Sequence, residues 1–157
     1  MGVEMNLYPV RKAHRIEEID DLTAEISKAK DSAAYLYKIY HDVLIVLQNA
    51  ADPYEDEDTL AYKAVMGNYI PDRPESHYVG FVPFEEVKAI FQWLQELKIE
   101  TPEGFKNLYD HCSEEAKEEL ISISSDDWEH IYSYAEMLLR VYTYAHKHEC
   151  SMVVLAE

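Results

Sequence analysis

The sequence predicts an α+β fold. It should form a single domain over residues 1–157, with a small mixed β-sheet packed against several helices. Three observations lead there. Residues 3–8 alternate apolar and polar side chains, the period of a strand. Met152, Val153, Val154 and Leu155 form one apolar run near the end, as in a strand covered on both faces. Between them, segment after segment repeats apolar residues three and four apart, the stripe of a helix lying on a core.

The first strand should place Val3, Met5 and Leu7 on a buried face and Glu4, Asn6 and Tyr8 on the other, and Pro9 should end it. Residues 16–29 read as a helix carrying Ile19, Leu22 and Ile26, with Lys28 and Lys30 near its end to suit the helix dipole. Residues 33–50 read as a central helix with Leu36, Ile39, Tyr40, Val43, Leu44 and Leu47 on one stripe. Residues 52–58 hold five acids in seven positions and read as a loop. Asp58 or Thr59 then caps a short helix to Met66, with Gly67 at a left-handed helix end. The stretch "NYIPDRPES" has two prolines and reads as irregular.

"HYVGFVP" is expected to be a strand in which Gly80 marks a bulge or a close backbone approach. Pro83 opens a helix with Val87, Ile90, Phe91 and Leu94 buried. Thr101 before Pro102, and Ser113 before two glutamates, cap two shorter helices. A long last helix follows, with Ser124 and Asp127 resembling a capping box. The sheet strands should come from the first residues, from 78–82 and from 152–155, with the terminal strands interior or adjacent. Helices 33–50 and 126–146 should supply most of the core.

At 157 residues the chain buries enough surface to fold without disulfides. Its two cysteines, Cys112 and Cys150, form no framework and no CxxC pair. The first residues lack a signal-peptide pattern, and no stretch approaches 18 apolar residues, so a cytoplasmic protein is expected. The formal net charge is −17, which repels nucleic acid and anionic membranes but suits a basic protein partner. A solvated acidic surface is the simpler explanation of that charge. An unpaired sheet edge would allow a homodimer.

No nucleophile elbow, P-loop or H-E-x-x-H occurs, and no cofactor is expected. His41, His77, Tyr78 and a carboxylate make a set suited to acid–base chemistry in a small hydrolase or transferase, should the fold unite them. A hydrogen-bonded structural histidine is the simpler reading of His41. "HKHEC" offers His146, His148 and Cys150 as soft metal ligands, with His111 and Cys112 to complete a zinc set through the fold. The simpler reading is a helix C-terminus carrying cationic side chains. The acidic loop fails the EF-hand pattern because Glu57 stands where a glycine belongs. "RKAHR" is the one basic cluster and reads as a surface turn. Tyrosine is abundant at 13 residues, so Tyr35, Tyr37 and Tyr40, or Tyr134, Tyr142 and Tyr144, are candidates for a docking surface.

The order of these pieces resembles the YfbM-like family, small bacterial proteins known as a domain of unknown function. The matching stretches are "GVEMNLY", "YKIYH", "LAYKAVMGN", "YVGFVPFEEVKAI" and the closing "YAEMLLRVYTYAHKHECSMVVLAE". Within "YKIYH", Tyr37 and His41 resemble the family's aromatic followed four later by histidine, with tyrosine where many members have tryptophan. The family glycine near the last helix-to-strand turn is absent, and "HKHEC" fills its place. Residues 68–77 and 101–127 match poorly. The resemblance implies one mixed α/β domain and no particular activity, cofactor or ligand. A non-enzymatic interaction protein with Tyr37, His41, His77 and Tyr78 as candidate binding residues is the reading this sequence favours.

Overall fold

The computed structural model describes residues 3–121 and 128–157. The expected cap at Ser124 and Asp127 therefore lies outside the described residues. One five-stranded sheet organises the rest. Its strands are β1 (Met5–Arg11), β2 (Ala34–Tyr37), β3 (Asn68–Tyr69), β4 (Val79–Val82) and β5 (Cys150–Ala156). They lie in the order β2-β1-β5-β4-β3, so the two terminal strands are neighbours in the interior. The α+β class holds. The sheet, however, is antiparallel in each described pairing rather than mixed. A parallel pair needs a crossover that returns the chain to its starting side. The helices between β4 and β5 instead deliver it to the opposite side.

Those helices are α4 (Phe84–Glu96), α5 (Pro102–Asp110), α6 (Glu114–Glu118) and α7 (Trp128–Lys147); earlier come α1 (Leu22–Ala29), α2 (Tyr40–Gln48) and α3 (Leu60–Met66). The sheet separates two apolar layers. Met5, Leu7, Val82, Met152 and Val154 face the larger one, built with α2, α3, α4 and α7. Tyr8, Val10, Val79, Phe81, Val153 and Leu155 face the smaller one, closed by Ile16, Ile19 and α1. Both faces of β1 and β5 are thus covered. That was expected of β5; it corrects the half-buried reading of β1.

Pro9 does not end β1. It pairs with Met152 inside the strand. Glu4 and Glu157 exchange both backbone hydrogen bonds, so the even-numbered N–H groups of β1 point at β5. The odd-numbered ones point away, and the Arg11 N–H accordingly donates to the Glu25 carboxylate at 3.0 Å. β2 pairs only Met5 to Leu7. Pro9 therefore sits where no ladder needs its missing N–H.

The expected helix over 16–29 is split: a 3-10 turn covers Ile16–Glu18, and Asp21 caps α1 by accepting the Ala24 N–H at 3.1 Å. The expected helix over 33–50 is also wrong in its first third. Ala34 and Leu36 are fully buried while Tyr37 is exposed, the alternation of a strand. The stripe of Leu36, Ile39, Tyr40 and Val43 imitated a helix because the strand runs into α2 with its apolar residues in phase.

Thr59, Thr101 and Ser113 cap α3, α5 and α6 as expected, each accepting a backbone N–H at 3.1 Å. Gly67 ends α3 at φ 66, but with ψ −173 it lies outside the left-handed helical region, in a conformation open essentially only to glycine. Asn68–Tyr69 pairs with β4, so the stretch after Gly67 is not wholly irregular. The last carbonyls of α3 have no intrahelical donors. Tyrosines supply two: the Tyr142 hydroxyl donates to the Ala64 carbonyl at 2.7 Å, and the Tyr78 hydroxyl to the Met66 carbonyl at 3.0 Å. Both sheet edges are short, with four residues in β2 and two in β3. The Tyr35 N–H of β2 points at the Met137 sulfur of α7, so that edge is partly covered. Little ladder remains for edge-to-edge pairing. No described helix is long and apolar enough to cross a membrane.

Candidate functional site

The acidic loop 52–58 lies against a run of tyrosines that the fold assembles from α2, α3, β3 and the residues before β4. The run begins at α2. Asp42, in the first turn, is completely buried and accepts the Ile121 N–H at 2.9 Å. A carboxylate at that end also suits the helix dipole. His41 lies beside it. Its Nδ1 is 2.7 Å from the Tyr54 hydroxyl and its Nε2 is 3.2 Å from the Glu119 carbonyl. A carbonyl only accepts, so Nε2 carries a proton; in the neutral ring Nδ1 then accepts from Tyr54. The two rings also stack, with centroids 5.7 Å apart.

Tyr54 enters the core from the middle of the acidic loop. Burial first, then Tyr40 by charge and hydrogen bond, push its hydroxyl well above the usual phenol range. Tyr62 and Asp42 add to the effect. The loop shapes itself with its own carboxylates: the Tyr54 N–H donates to Asp52 Oδ1 at 3.2 Å, and the Asp58 N–H to Asp56 Oδ1 at 3.0 Å. These are the local side-chain turns that aspartate favours.

From there the run passes to α3. The Tyr62 hydroxyl donates to Glu57 Oε1 at 3.4 Å and contacts Tyr78. Burial, followed by the charge and hydrogen bond of Tyr62, raises the Tyr78 phenol. The outer face of Tyr78 stacks against Tyr69 at 5.3 Å. Tyr69 is 56% exposed. A cavity of about 360 Å³ opens here, lined by Glu57, Asp58, Tyr62, Gly67, Asn68 and Tyr69. It has two carboxylates and two phenols and no cationic side chain. The nearby Lys63 pairs with Glu86 at 3.1 Å, and Glu86 takes the Asn68 amide at 2.6 Å. A larger hollow of about 570 Å³, over α7 and β2, is lined by Asp31, Tyr35, Met137, Arg140 and Tyr144 among others. Charges of both signs meet there, so it has no comparable chemical bias.

Of the residues singled out from the sequence, His41 and Tyr78 fall on this run. Tyr37 does not: it ends β2 at φ 51, stacks on Tyr35 at 6.2 Å and belongs to a separate group with Tyr8. His77 is exposed in the loop before β4. The soft-ligand candidates are dispersed into local contacts. Cys112 is buried with its thiol near the Val46 and Leu108 carbonyls, and burial raises its pKa. His146 stacks on Phe91 at 4.4 Å, and His148 lies tilted against Tyr144 at 4.2 Å. The Cys150 thiol reaches the His148 carbonyl at 3.7 Å, and burial raises its pKa too. Among the described residues no three His, Cys, Asp or Glu are grouped to hold a metal ion. Tyr54, Tyr62 and Tyr69 were missed as site residues. The available signal was Tyr54 itself, an aromatic ring inside an otherwise acidic run.

"HKHEC" is the join between α7 and β5, and Glu149 makes the turn at φ 54. A residue with a Cβ is strained there. Glu149→Gly is expected to stabilise the protein by about 0.5–1 kcal/mol, because relief of that strain exceeds the added freedom of the unfolded chain. The exposed pair it removes, with Lys12 at 3.8 Å, contributes little. Urea denaturation of the two proteins checks this; a loss of stability would contradict it.

No protein-family model and no curated protein matches the chain. Among solved structures it is similar to YfbM from Escherichia coli, a protein of unknown function, at TM-score 0.60 and 14% identity. The match covers 98% of this chain and 99% of that one. At that identity the likeness is one of fold, and the described residues have the YfbM-like α+β fold.

Proposed function

We propose that this protein is a non-enzymatic interaction module of the YfbM-like family, and that its acidic tyrosine-bearing face engages a basic protein. The observation that carries this reading is the cavity at Glu57 and Asp58. Its carboxylates make no ion pair among the described residues, while tyrosines line the same space. In a chain of net charge −17, carboxylates without a paired cation suit a cationic ligand. Tyrosine suits such a surface because it presents a rigid ring with a polar tip. His41 links the acidic loop to the end of α6, with its Nδ1 on the Tyr54 hydroxyl and its Nε2 on the Glu119 carbonyl, contacts that fit a histidine fixing structure.

Calorimetry with a twelve-residue Lys/Arg-rich peptide and an acidic peptide of equal length tests this. The basic peptide should bind saturably at one to one, and more than ten times weaker at ~300 mM than at ~20 mM salt, because short Debye lengths screen exposed charges. The acidic peptide should not bind. Absence of binding at low salt, or uptake without a defined stoichiometry, would overturn the proposal.

A further inference from the structure

We infer that the cavity beside β3 is the receptor for an arginine side chain of that partner, an inference that rests on the interaction reading above. Three features select a guanidinium. The first is uncompensated charge: Glu57 and Asp58 stand at the cavity while the neighbouring cation, Lys63, is held by Glu86. The second is an open aromatic face. Tyr69 stacks on Tyr78 with one side only, at an interplanar angle of 28°, and its large exposure leaves the other side free. A flat cation stacks on such a face, and a guanidinium does so while its N–H fork meets carboxylates. An ammonium is a compact, strongly hydrated point charge that gains less from the same ring. The third is placement. β3 is the edge of the sheet on that side, so an extended segment has room to run beside the cavity. A hard divalent cation is a poorer occupant, since it takes six or more oxygens and Glu57 already accepts from Tyr62.

The test is amide-resolved NMR of the full chain titrated with acetyl-Gly-Arg-Gly-amide, its lysine counterpart and its neutral citrulline counterpart. The arginine peptide should shift Gly67, Asn68 and Tyr69 saturably. The lysine peptide should bind at least three times more weakly, and the citrulline peptide should leave those signals in place. Tyr69→Ala, at an exposed position, should keep the spectrum dispersed and weaken arginine binding at least fivefold. Equal binding of arginine and lysine would overturn the guanidinium assignment. Shifts confined to other acidic surfaces, with residues 67–69 unmoved, would overturn the arginine assignment and the placing of the partner on this face, while saturable one-to-one binding of the longer basic peptide would still support an interaction protein. If the longer basic peptide also fails in calorimetry, both fall.

Discussion

Gly80→Ala is expected to destabilise the protein by about 3 kcal/mol, near the upper end of the cost of overpacking a closed interior. A Cβ at Gly80 would overlap the Met66 carbonyl oxygen and stand 3.1 Å from its carbon and 3.4 Å from the Gly67 Cα. These are backbone atoms, so no side chain can swing aside. Gly67 is equally committed, since its φ of 66 disfavours a side chain and its own Cβ would meet the Phe81 nitrogen at 2.9 Å. The end of α3 thus crosses β4 backbone to backbone, and Tyr78 fastens the crossing through Met66. Separating the two would loosen the β3–β4 pair and the cavity beside it. Urea denaturation should show a lower midpoint with an unchanged slope. A loss below about 1 kcal/mol would mean that the two backbones are not in contact.

Alkaline pH should unfold the protein cooperatively. Burial is the leading cause that raises the phenols of Tyr8, Tyr54, Tyr78 and Tyr142; Tyr142 is completely buried, with the Glu86 charge adding to the effect. In the unfolded chain tyrosine ionises at about pH 10. The folded pKa is the higher one, so stability is fully present below about pH 10 and is lost above it, as the unfolded state sheds protons that the folded state retains. Each retained proton costs about 1.4 kcal/mol per pH unit in that window. Phenolate absorbance should rise in two stages, exposed tyrosines first and the buried set together with the loss of circular dichroism. All 13 tyrosines titrating smoothly about pH 10, with the fold intact, would contradict the burial described here.

The fold was legible in the sequence where one period dominated. The apolar run of β5, the stripes of α4 and α7 and the caps at Thr59, Thr101 and Ser113 were each local signals that packing had no reason to override. The misreadings had physical causes. Ala34 to Tyr37 alternate like a strand but lead in phase into α2, so the helical period was the stronger of the two. Pro9 looked like a terminator because its strand partners were unknown; the open side of β1 made it harmless. Gly80 announced a close approach, but only the fold shows that the approaching atom is the Met66 carbonyl. The candidate site was half legible. His41 and Tyr78 were singled out, yet they share a site only through Tyr54 and Tyr62, and contacts across that many residues leave no trace in spacing.

The proposed interaction assigns the cationic partner to the carboxylates beside β3 rather than to acidity in general. Two double variants test it, each removing two exposed negative charges: Glu57→Gln with Asp58→Asn, and Glu114→Gln with Glu115→Gln on α6. Affinity for the basic peptide should fall at least tenfold in the first and less than twofold in the second. Equal losses in both would contradict the account, because the net charge alone would then explain the binding.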